Sequence, residues 1–185
     1  LSGAGSITKT GAGIVVLTGA NTYTGGTLVS AGELRGNATS LKGTITNNAT
    51  VVFNQTSDGT YASVMSGTGS LVKEGTGSLL LDVANTYSGG TSLNGGTILL
   101  GANSALGTGL VTIGDGTTLA SVTTRRYIAN SLSLQGNVTL GNGTQATTFS
   151  GTVDLNGAVR TLSLKNSATF SNTISNGGLA INNIT

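Results

Sequence analysis

Residues 2–34 align without a gap to residues 66–98, at an offset of 64, and this internal repeat constrains the fold more than any other feature of the chain. The first copy reads SGAGSITKTGAGIVVLTGANTYTGGTLVSAGEL and the second SGTGSLVKEGTGSLLLDVANTYSGGTSLNGGTI, with sixteen of 33 positions identical. The identities include Lys9 and Lys73, Leu17 and Leu81, the run Ala20–Tyr23 with its copy Ala84–Tyr87, and Gly25-Gly26-Thr27 with Gly89-Gly90-Thr91. A unit of this kind cannot bury its apolar face alone and must stack on a similar neighbour, so the repeat reads as a solenoid. A β-sandwich has no need of it. Divided by three, the offset gives about 21 residues, within the roughly 20–30 of solenoid coils. Three coils are therefore expected between the copies, and about eight or nine in the chain. At about 4.8 Å per coil, the rod would be roughly 40 Å long.

Short apolar or alternating segments mark the expected strands: Ile14–Leu17, Val51–Phe53, Leu79–Leu81, Ile98–Leu100, Leu110–Ile113, Leu132/Leu134, Val138/Leu140, Val153/Leu155, Leu162/Leu164 and Leu179/Ile181. Several alternate with period two, as in Leu132-Ser133-Leu134, the pattern of a half-buried strand. Gly, Asn, Ser and Asp fill the gaps and supply turn conformations. No window sustains helical spacing, because Gly or a β-branched residue interrupts each one. The expected class is all-β, a right-handed parallel β-helix.

Composition agrees. Gly, Thr, Ser and Asn supply 100 of the 185 residues, charged residues are 8%, and Pro, Cys, His and Trp are absent. Low charge suits stacked coils, since like charges in register repel. The absence of Cys excludes a disulfide framework. The net charge of +2 is a small difference between eight cations and six carboxylates, with Arg125-Arg126 the only adjacent basic pair. Nucleic-acid binders concentrate cations on one face, and this chain does not.

The segments KTGAGIVVLTGANTYTGGTLVSAGEL at Lys9–Leu34 and KEGTGSLLLDVANTYSGGTSLNGGTILLG at Lys73–Gly101 resemble the passenger-associated transport repeat of autotransporter proteins. Ser104–Leu119 and Thr152–Leu179 resemble its usual continuations, while residues 37–65 and 120–150 are the least typical. The resemblance implies a non-enzymatic, adhesin-type passenger segment at the bacterial cell surface, a rigid stalk that aids its own export. It also implies, as a partner, an outer-membrane translocator barrel on the same polypeptide. On this reading residues 1–185 are one β-helix segment, an excerpt of a longer passenger. Other readings are a polysaccharide-degrading β-helix enzyme and a surface filament protein that assembles end to end.

The chemistry-bearing residues are sparse. Without His there is no His-based triad. The carboxylates Glu33, Asp58, Glu74, Asp82, Asp115 and Asp154 are spread so that no two lie within seven residues, although stacking could bring Glu74 near a coil neighbour. No catalytic, cofactor-binding or metal-binding residue is assigned, and no cofactor is expected. Gly114-Asp115-Gly116 reads as a tight turn. Tyr23 and Tyr87 recur at matched positions, so they read as fold determinants covering a turn. Non-repeating excursions are where solenoids carry binding function. Segments 55–65 and 122–130 are accordingly the expected binding surface for a host-surface or glycan ligand, with Tyr61, Arg125, Arg126 and Tyr127 as its contact residues.

Overall fold

The computed structural model describes residues 1–142 and 144–184. Among them no helix forms, and the strands stack in parallel into a β-solenoid of about nine turns. Each coil passes through three faces, as in Ile45–Asn47, Thr50–Asn54 and Gly59–Tyr61, before the next coil begins at Met65–Ser66.

The second face carries the stack from end to end. Its nine strands begin at Ile14–Val16 and Glu33–Gly36 and close with Val153–Leu164 and Ile174–Asn183. One inward column runs through Val15, Leu34, Val51, Leu71, Thr91, Val111, Leu132, Val153 and Ile174, each in parallel register with the next. Eight of the nine are aliphatic, because each side chain is covered by its copy in the neighbouring coil. Burying one such side chain contributes roughly 1.5–3 kcal/mol.

The third face repeats the logic from Gly59–Tyr61 to Val138–Leu140, with Leu79, Ile98, Leu119 and Leu140 in one column. The first face comes in two blocks. Ile7–Lys9, Thr27–Val29, Ile45–Asn47 and Met65–Ser66 form the lower one, and Arg126–Ile128, Thr147–Phe149 and Ala168–Phe170 the upper. In the last two coils the second and third faces fuse into strands of 12 and 10 residues, with Asn156 and Asn176 at positive φ where they bend.

The strands expected from sequence are all present, but the spacing of the two copies differs from expectation. Ile7 stacks under Thr27, Ile45 and Met65 in register steps of 20, 18 and 20 residues. Leu71, the copy of Ile7, lies one strand beyond Met65, on the second face, between Val51 and Thr91. The offset of 64 is therefore three coils plus one face, not three longer coils. Tight corners keep the coil near 20 residues, and the two copies are rotated by one face about the axis.

At their lysines the copies nevertheless close bond for bond alike. Lys9 Nζ donates to Thr10, Gly11 and Ala31 carbonyls at 2.9, 2.6 and 2.9 Å. Lys73 Nζ donates to Glu74, Gly75 and Gly95 carbonyls at 2.8, 2.9 and 3.0 Å. An ammonium has three protons, and each finds one acceptor. The Lys73 stem sits in an apolar column between Phe53 and Leu93 and is fully buried. The fourth carbon carries the charge out to the corner, where the turn supplies the oxygens. Gly96 must be glycine there: its φ is +64°, and a Cβ would fall 2.5 Å from the Gly77 oxygen.

Asn21 and Asn85 tie one coil to those above and below it. Asn21 Nδ2 donates to Ser40 O at 2.8 Å, and Asn85 Nδ2 to Ala105 O at 2.7 Å. Asn85 Oδ1 accepts the Met65 amide at 2.7 Å. Tyr23 and Tyr87 are buried, and their hydroxyls meet Thr27 and Thr91 Oγ1 at 2.9 and 2.6 Å. Thr91, the one polar member of the aliphatic column, is there to satisfy Tyr87 and Leu106 O.

Candidate binding surface

Each repeat copy ends in a turn that takes the place of a strand, and a new column of strands starts above that turn. Asn37–Leu41 is the first such turn, closed by Leu41 N donating to Asn37 O at 2.9 Å. Gly59–Tyr61 begins the column that follows. Ala102–Gly107 is the second, closed by Ala105 N to Ala102 O at 3.3 Å and Gly107 N to Ser104 O at 3.1 Å. Arg126–Ile128 begins the column above it.

Tyr61 and Tyr127 therefore lie on corresponding strands, but one position apart in phase. Residues on a strand alternate sides, so a shift of one reverses the direction of the side chain. In Gly59–Tyr61 the last residue points inward, and in Arg126–Ile128 Ile128 does so. Tyr127 takes the outward position and is 55% exposed. Tyr61 is 2% exposed, which corrects the expectation that it is a contact residue. Its ring lies 5.3 Å from that of Phe53, and its hydroxyl donates to Gly43 O at 3.0 Å. Burial pushes its phenol well above the usual tyrosine range. It is a core side chain.

The remaining expected residues divide. Arg125 is exposed. Arg126 is half-buried, with Nε donating to Leu100 O at 3.3 Å and a terminal nitrogen to Thr123 Oγ1 at 3.2 Å. It fastens the new column to the coil below. The Tyr127 amide does the same through Asn103 Oδ1 at 3.0 Å, and Asn130 Nδ2 through Gly107 O and Gly109 O at 3.1 and 2.8 Å. Between the turn and the overhanging strand lies an open groove of about 330 Å³, lined in part by Asn103, Ser104, Thr108, Tyr127 and Asn130. The turn residues were not singled out from sequence, because their proximity to Tyr127 depends on the coil register.

Stacking does bring two carboxylates together elsewhere. Arg35 Nε donates to Glu33 at 2.8 Å and its Nη1 to Glu74, two coils up, at 2.5 Å. The two acids raise the Arg35 pKa and are themselves held as hydrogen-bond acceptors. Arg35→Gln should cost less than about 1 kcal/mol, since ion pairs still partly open to solvent contribute little. In urea titrations its deficit should shrink further at high salt. Asp115 accepts the Asn137 amide at 2.7 Å and Gly116 has φ +69°, the geometry of a tight turn. Among the described residues no three His, Cys, Asp or Glu side chains gather as metal ligands.

Residues 7–35 and 71–100 each match the family model of the passenger-associated-transport-repeat, consistent with a repeat of autotransporter passengers. No curated protein and no solved structure matches the chain.

Proposed function

We propose that the chain is a non-enzymatic, rigid segment of an autotransporter passenger, exposed at the bacterial surface, where it acts as a stalk and aids its own export. The repeat family implies an exported, surface-associated protein. The observation that carries the reading is the like closure of two rotated copies within one continuous parallel stack. Lys9 and Lys73 make the same three bonds, Tyr23 and Tyr87 both meet the threonine four residues on, and Asn21 and Asn85 both donate to a carbonyl of the following turn, one residue apart in register. A coil closed by its own side chains gains stability before the next arrives, and a solenoid can grow one repeat at a time. Folding outside a translocator barrel of the same polypeptide then opposes backsliding of the emerging chain.

Register supplies a clean test. Leu71 and Thr91 are stacking partners, so deleting residues 71–90 removes one coil of the second copy without disturbing the phase. In the parent protein this deletion should slow surface display several-fold. Deleting 112–132, a coil outside the repeats whose ends are also in register, should slow it less. Equal display kinetics for the 71–90 deletion and the wild type would overturn the proposal.

A further inference from the structure

We infer that the groove under Tyr127 binds a carboxylated sugar unit of an oligosaccharide. Aromatic side chains are scarce here, and Tyr23, Tyr61, Tyr87, Phe53 and Phe149 are all buried. Phe170 is half-buried against Phe149, and Tyr127 alone among the rings is over half exposed. Its position corresponds to Thr60 on the strand above the earlier turn, where no aromatic stands, so the fold does not require it. An exposed ring presents a flat apolar face to the C–H face of a sugar, with its hydroxyl free to hydrogen-bond.

The surrounding groups match the rest of such a ligand. Small-molecule sites combine an apolar contact with a few placed polar groups in about 300–1,000 Å³, and this groove of about 330 Å³ has the size for one or two rings. Ser104 and Thr108 bring hydroxyls to its wall. Asn103 spends its oxygen on the Tyr127 amide and keeps its NH2 for a ligand, while Asn130 spends its NH2 on the floor and keeps its oxygen. Donors and acceptors of both kinds suit sugar hydroxyls. Thr148 and Thr169 stack above Tyr127 in register, extending a hydroxyl-bearing track along the rod.

The charge selects the acid. Arg125 is exposed two residues before Tyr127 and takes no part in the ion pairs found among the described residues. The carboxylate of the coil below, Asp82, lies against Gly101, and neither residue lines the groove. A solvent-exposed guanidinium two residues from the groove's Tyr127 can take a carboxylate through two parallel N–H bonds.

The test is an array of oligogalacturonate and sialylated glycans beside oligogalactose and the desialylated forms. The chain should be retained on the carboxylated spots. Tyr127→Ala should lose at least about tenfold, and Arg125→Gln should lose on the carboxylated spots alone. Both positions are exposed, and unchanged circular dichroism establishes that the variants are folded. No retention on any carboxylated glycan, equal retention on the neutral ones, or undiminished binding by Tyr127→Ala would overturn the assignment.

Discussion

Lys73→Met loses about 2–4 kcal/mol of folding stability in urea titrations, although methionine fills most of the same apolar column. The stem is not what the substitution removes. It removes the donor group matched to Glu74, Gly75 and Gly95 carbonyls, and a buried acceptor left without a partner costs about 1–3 kcal/mol. The Glu74 carbonyl also accepts the Gln55 amide, so the loss falls mainly on the two glycine carbonyls. Lys73→Ala should be less stable still, and propylammonium in the buffer should recover part of the deficit in that variant and none in the wild type. Lack of any recovery would mean that the cage collapses when the side chain is shortened.

The same residue gives the stability a pH dependence of known sign. Burial lowers the Lys73 pKa to about 8, against about 10.4 for a lysine in water. Below pH 8 both states hold the proton, and the residue adds no slope. Between about 8 and 10.4 the unfolded chain holds a proton that the folded chain has released, so stability rises with pH across that window. Lys73→Met should lack the rise, which a urea series at pH 7, 9 and 10.5 would detect. Parallel curves for the two proteins would contradict it.

Asn85→Ala is the second large effect, also about 2–4 kcal/mol. The side chain accepts the Met65 amide and donates to the Ala105 carbonyl, so it spans the coils on either side of its own. Alanine leaves a donor and an acceptor unpaired beside a residue that is 1% exposed, and such groups cost about 1–3 kcal/mol each. Thermal unfolding measures it, with the exposed Asn94→Ala as a control expected within about 0.5 kcal/mol of wild type. Equal transitions for the two variants would show that the bridge contributes nothing.

Much of this was written in the chain at the level of pattern. The aliphatic segments fell on strands because the inner column demands them, and the gapless repeat reported stacking because a solenoid coil needs a like neighbour. Phase was harder to read. Ile7-Thr8-Lys9 and Leu71-Val72-Lys73 alternate, and that alone puts each lysine on the side of its aliphatic partner. The signal for a buried cation was therefore present, masked by the habit of placing lysine outside. Tyr61 and Tyr127 looked alike as aromatics in atypical segments, yet one strand position separates core from surface. Strands such as Thr147-Thr148-Phe149 lacked an apolar run, because an inward position is itself a threonine, Thr147, buried and bonded to Ser121 Oγ. The rotation of the two copies was not legible, since it is set by corner lengths that vary by one or two residues per coil.

In-register stacking can be measured directly, because a chain without cysteine accepts spin labels only where cysteines are introduced. Val72, Ser92, Thr112, Ser133, Asp154 and Ser175 follow one another up a single face. Labels at Val72 and Asp154 are then four strand spacings apart, and labels at Val72 and Ser175 five, which at about 4.8 Å each gives about 19 and 24 Å. Pulsed dipolar spectroscopy should find the second distance about 5 Å longer than the first, although 21 residues have been added. Equal distances, or a second one shorter than the first, would mean that the strands fold back on one another and that the solenoid is wrong.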